Sequence, residues 1–238
     1  MTTATVTQTR PAGQRRPGAR QKFGWLVPVA LVALSLIPVI SGSLRLIEVA
    51  GGPQLMPTNP RIEASPAPLV VHVVGAVCYA LFGAFQFSAR LRRRHPAWHR
   101  KTGRILAVTG LAVAFSGLWM TLFYAGAPGG TLLWTVRLLV GTTMAASIIL
   151  GFVAIRRRDI PAHRAWMMRA YALGLGAGTQ AFTEGIGEAL FGTGDLSKAI
   201  SMGSAWVINA LVAEWAIRRP AVRRTRRTRA RTAVQVSL

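Results

Sequence analysis

Several polar side chains stand inside long apolar runs of this chain, where burial is costly and function is the default reading. His72 lies about one helical turn into its run, and Arg137 sits at a similar depth in another. Glu184 lies in the outer half of a third, with Gln180 one turn below it and Glu188 one turn above. Residues four apart share a helix face, so these three form a polar stripe. The pattern suggests a cluster of His72, Arg137, Gln180 and Glu184 near the outer surface. Two chemistries suit it: a substrate or proton site, or an Arg137–Glu184 pair that holds helices together.

A second constellation comes from a phrase that occurs twice. Leu91 to Arg100 reads LRRRHPAWHR and Ile155 to Arg164 reads IRRRDIPAHR, placing His99 and His163 64 residues apart. His99, Arg100 and Arg104 fall at the N-terminal end of one helix, and His163, Arg164 and Arg169 at that of another. Cations there oppose the helix dipole, so something anionic should compensate. Lipid phosphate, a bound anionic ligand or a haem propionate would serve. His99 and His163 are the one histidine pair at matched depth, which allows one haem b, or a quinone, between them. Two hemes would need four such ligands, and zinc would lack donors. No CxxCH attachment motif, P-loop, dinucleotide fingerprint or nucleophile–base pair occurs, so the reading leans away from an enzyme.

Membrane-spanning helices must position these groups. The 238 residues are 51% hydrophobic and only 15% charged, well below the roughly 25% of soluble domains. The apolar runs are about as long as a bilayer-crossing helix. The expected fold is an all-α polytopic membrane protein with six transmembrane helices, at about 25–44, 68–87, 105–125, 131–155, 166–191 and 196–217. A disordered basic tail is expected over 1–22, and an Arg-rich one over 218–238. The single Cys78 supports no disulfide framework.

The net charge of +22 invites nucleic acid as a partner, but its distribution argues against that. The basic residues cluster at 10–22, 90–104, 156–169 and 218–231, alternating with the apolar runs. Only Arg45, Arg61, Arg137 and Lys198 fall elsewhere. This is the positive-inside pattern, and it predicts both termini on the cytoplasmic side of a bacterial inner membrane, with anionic lipid as the partner of that face. In this topology spans two to five form two hairpins of the same orientation. The doubled phrase fits either a duplicated hairpin or loop chemistry shared by two arginine-rich cytoplasmic loops.

Four stretches carry a family resemblance: GAFQFSARLRRRHPAWHRKTGR (83–104), SGLWMTLFY (116–124), AIRRRDIPAHRAWMMRAYALGLGAGTQ (154–180) and INALVAEWAIRR (208–219). From about residue 40 to 219 the chain resembles the bacterial membrane-protein family catalogued as domain of unknown function 2306. Residues in the resemblance include His72, Gln86, His99, Arg104, Arg137, His163, Arg169 and Gln180. It implies a polytopic inner-membrane protein and assigns no catalytic residue. The function expected is binding or transport of a small molecule or lipid. A redox protein holding haem or quinone, and a structural or regulatory membrane protein, are the alternatives.

Overall fold

The computed structural model describes residues 25–126 and 128–236, with side chains described as far as Arg219. The tail expected over 1–22 lies outside the described residues. Four long helices come first in weight: α1 (Leu26–Val49), α3 (Ala67–Gln86), α5 (Pro96–Phe123) and α6 (Gly130–Arg156). Short helices α2 (Pro60–Ala64) and α4 (Ala89–Arg94) lie in the connections. The chain then forms α7 (Ile160–Gly174), α8 (Gly176–Phe191) and α9 (Asp195–Val236).

Five of these helices are long and apolar enough to cross a membrane: α1, α3, α5, α6 and the Asp195–Arg219 part of α9. The fifth expected span, 166–191, is instead two helices that meet at Leu175. Their 15 and 16 residues reach about 22–24 Å each, short of the ~30 Å hydrocarbon layer. Gly174, Gly176 and Gly178 surround the joint, and glycine weakens a helix interior by about 1 kcal/mol relative to alanine. An apolar composition hides such a break.

Helix ends differ from the expected spans for identifiable reasons. α5 starts at Pro96 rather than about 105, because proline suits the first turn and the basic loop residues continue into helix. α1 runs to Val49 rather than 44, carrying Arg45 and Glu48 into a clamp on the following loop. α9 continues as helix through the Arg-rich stretch to Val236.

Packing gives a closed ring in the order α1, α3, α5, α6, α9, α8. α7 touches α3, α5, α6 and α9, and so fills the half of the bundle that carries the arginine-rich loops. The core lies there, built from Tyr79, Ala84, Leu106, Met144, Ile148, Ala170 and Tyr171 among others. Tyr171 donates its hydroxyl to the Ala80 carbonyl at 2.6 Å, and its ring lies 5.7 Å from that of Tyr79. Gly83 and Gly174 make this possible: a Cβ on either would run into one of the two tyrosine rings. Beyond Leu175, α8 packs chiefly on α9 and α1. The periphery is apolar, with Val108 70% and Leu211 65% exposed, as lipid-facing positions should be.

Two waist residues explain how α1 and α8 approach. Pro38 sits inside α1 and has no N–H, so the Leu34 carbonyl one turn back lacks its usual donor. Gly178 of α8 packs directly on that carbonyl, in space no side chain could share.

Candidate functional site

At the end away from the arginine-rich loops, His72 of α3 faces α5. Its Nδ1 lies 3.0 Å from the Val113 carbonyl and 3.1 Å from Ser116 Oγ. A carbonyl can only accept, so Nδ1 carries the proton and donates. Nε2 has no hydrogen-bond partner among the described residues. Ser116 already donates to the Ala112 carbonyl at 2.6 Å, as helix-bound serines do. Gly117 leaves room for the imidazole: a Cβ there would come within 3.2 Å of His72 Cε1.

Arg137 lies half-buried on α6, one residue after Val136, whose side chain lies where a Cβ on Gly203 of α9 would just touch it. It makes no ion pair or side-chain hydrogen bond among the described residues. Glu184 and Arg61 are the charges close enough to act on it. Glu184 itself is held by Lys198 of α9 at 3.1 Å, both side chains about one-third exposed. Thus the carboxylate expected to pair with Arg137 has another cation in contact, and Arg137 feels it only at longer range.

Gln180 is buried and donates from Nε2 to the Met202 carbonyl at 3.3 Å. Glu184 and Glu188 line a small open cleft of about 40 Å³ with Thr193, Ser197, Lys198 and Ser201. The polar stripe of α8 is therefore turned toward α9. No hydrogen bond or ion pair among the described residues joins His72 to Arg137, Gln180 or Glu184. Over this end, Tyr124 donates its hydroxyl to the Ser65 carbonyl at 2.5 Å. Burial raises the Tyr124 phenol pKa above its ordinary value, with Arg61 pulling the other way.

The arginine-rich end shows the doubled phrase in two backbone settings with one shared register. His95 and Asp159 stand at the helix starts, and the amides of His99 and His163 bond back to their carbonyls at 3.1 and 3.0 Å. Each histidine thus closes the first turn of its helix, followed by Arg100 or Arg164. The arginine triplets diverge: Arg92–Arg94 lie in α4, whereas Arg156 ends α6 and Arg157 and Arg158 make the turn. His163 Nδ1 donates to the Gly151 carbonyl at 2.8 Å, which leaves its Nε2 uncommitted. His99 lies within the electrostatic reach of Arg92, Arg100 and His163. Arg104 is exposed. Arg169 is committed elsewhere, bound to Glu214 of α9 at 2.5 Å and stacked 4.7 Å from the Trp166 ring centroid.

Among the described residues, no group of three or more His, Cys, Asp or Glu gathers as metal ligands would. The pairings are not legible in sequence: Lys198 takes Glu184 and Glu214 takes Arg169. Asn209, which sequence reasoning missed, bridges the break between α7 and α8. Its signal is an amide side chain inside the apolar run 196–217.

No curated protein and no solved structure matches the chain. A family model described as predicted membrane protein (DUF2306) matches residues 69–217. That match spans every helix from α3 to the membrane part of α9, including His72, Arg137 and both histidine–arginine turns, and the chain belongs to this family of membrane proteins.

Proposed function

We propose that this chain is a six-span protein of the bacterial cytoplasmic membrane that binds, and moves, a small anionic molecule through the outer half of its bundle. Arg137 is the observation that carries the reading. An arginine half-buried in an apolar helix, with no carboxylate in contact among the described residues, is costly to keep. An anionic ligand would compensate it, and Glu184–Lys198 beside it would supply a pair able to exchange partners.

The six-span topology rests on two arguments. α7 and α8 run end to end and together are long enough for one crossing. The arginine-rich loops and both chain ends then fall on one side, which the charge bias makes cytoplasmic. Helices broken inside the membrane are found where they are buried in protein or line a site, and the Leu175 break sits next to Gln180 of the same stripe.

The test uses the full chain in proteoliposomes, with inorganic phosphate, acetate and succinate as probe anions. Wild-type protein should give anion-dependent currents on a supported membrane, and Arg137→Gln should abolish them while retaining helicity and monodispersity. Absence of any anion response in the wild type, with Arg137→Gln altering only stability, would make Arg137 a structural residue. For topology, single cysteines at Ser65 and at the exposed Ala97, in a Cys78→Ser background, should react with an impermeant reagent from outside and inside respectively.

A further inference from the structure

The arginine-rich end has far more positive charge than the chain itself can balance. The whole sequence has seven acidic residues, and only Asp159 and Glu214 belong to this end of the described bundle. Asp159 is occupied in starting α7, its Oδ1 accepting from the Ala162 amide at 3.0 Å. Glu214 is shared between Arg169 and Arg218. The arginines of 90–104 and 156–164 make no ion pair among the described residues. Arg92 and Arg100 of the first loop and His163 of the second nevertheless all lie within electrostatic reach of His99. α7 packs on both α3 and α5, so the two loops share one patch.

The ligand chemistry follows from what borders the patch. Immediately beyond the basic residues of α5 come exposed apolar ones, Ile105 at 57% and Val108 at 70%. A soluble anion would make no use of that border, whereas a lipid places acyl chains against it and its headgroup on the cations. The two loops also repeat one arrangement, a histidine closing the first helical turn and an arginine next to it. Two like groups 64 residues apart suit two like anions.

We propose that this patch binds an anionic membrane lipid carrying two phosphate groups, one held by His99 and Arg100 and the other by His163 and Arg164. His163 is oriented for this by its Nδ1 bond to Gly151, which turns the free Nε2 away from its neighbour helix. Arg169, already paired with Glu214, fixes α7 against α9 and takes no phosphate.

The experiment is native mass spectrometry and affinity measurement on delipidated full-length protein. Phosphatidylcholine nanodiscs would contain either diphosphatidylglycerol or phosphatidylglycerol at equal total charge. The two-phosphate lipid should bind one to one and at least about ten-fold more tightly than the one-phosphate lipid. His99→Gln/Arg100→Gln and His163→Gln/Arg164→Gln should each remove that preference, and Arg61→Gln at the opposite end should not. Where a double variant loses helicity, the exposed single changes Arg100→Gln and Arg164→Gln carry the test. Equal binding of the two lipids at equal charge, or indifference to both sets of variants, overturns the proposal. So does tighter binding of inorganic pyrophosphate than of the lipid, or a Soret band that disappears with His99→Gln, which would make the histidines haem ligands. None of these outcomes depends on Arg137, so this site and the outer one stand or fall separately.

Discussion

Asn209 of α9 caps the broken end of α7: its Nδ2 donates to the Ala172 carbonyl at 3.0 Å. Its Oδ1 accepts from Thr179 of α8 at 2.8 Å, so one amide side chain serves both sides of the break at Leu175. The last carbonyls of a helix lack intrahelical donors, and in a membrane no water replaces them. Asn209→Leu keeps the volume but removes both bonds. It should destabilise the folded state by about 1–2 kcal/mol, the upper range for interhelical hydrogen bonds in membranes. Thr179→Val should cost less, because the Ala172 carbonyl keeps its donor. Unfolding of each variant in bicelles measures the difference; equal and negligible costs would mean that Asn209 caps nothing.

Gly178 allows the α1–α8 approach and should resist substitution. Gly178→Ala forces a Cβ against the backbone carbonyl of Leu34, which cannot rotate away. Overpacking of this kind costs about 1–3 kcal/mol. Gly185 lies on the same helix with open space around it. Gly185→Ala should be neutral or stabilising by up to about 1 kcal/mol through helix propensity. Thermal denaturation of the two variants side by side separates close packing from propensity; a harmless Gly178→Ala would contradict the contact.

How far these features could be read from sequence depends on their range. Helix number and placement came from hydropathy, a property of windows of about 20 residues, and α1, α3, α5, α6 and α9 follow it. The break at Leu175 depends on which neighbours its glycines meet, and Trp206 and Asn209 are 30 or more residues away. Counting turns put Arg137 and Glu184 in the same half of their runs, and Glu184 acts on Arg137 at longer range. Direction was not legible: whether Glu184 meets Arg137 or Lys198 depends on the rotation of α8 about its axis, set by Gly187 against Ser201 and Gly176 against Trp206. The doubled phrase shows both sides. Its histidines share a register in three dimensions, while its arginines take different backbones because Asp159 and His95 end different local structures.

Arg158 occupies a glycine position. Its φ is 61°, the left-handed region, and the amides of Arg158 and Asp159 bond back to Ile155 and Ala154 at 3.1 and 2.9 Å. This is the Schellman turn that ends helices, normally built on glycine after the cap. A side chain there costs about 1 kcal/mol or somewhat more. Arg158→Gly should therefore stabilise the α6–α7 hairpin by up to about 1 kcal/mol, offset in part by the freer unfolded chain. Arg157→Gly, one residue earlier at φ −81°, should destabilise instead. Paired melting curves decide this; a loss of stability in Arg158→Gly would show that the arginine makes a contact outweighing its backbone strain.

Glu48 organises the loop after α1, and that loop should open when its carboxylate is removed. Oε1 accepts from the amides of Leu55 and Met56 at 2.6 and 2.5 Å, while Oε2 meets Arg45 at 2.7 Å. Arg45 reaches on to the Pro57 carbonyl at 3.0 Å. Two amides on one charged acceptor hold the glycine- and proline-containing segment 51–57 over the end of the bundle. Hydrogen bonds to a charged group contribute about 1.5–3 kcal/mol each where water is excluded and less where it is not. Glu48→Ala should speed hydrogen exchange at Leu55 and Met56 by about ten- to a hundred-fold, with the core amides of α5 and α6 unaffected. Glu48→Gln keeps a neutral acceptor for both amides and loses only the attraction to Arg45, so its exchange should fall between wild type and Glu48→Ala. Equal exchange in all three proteins would mean that the loop is held by its own turns, and that the clamp follows from its position without causing it.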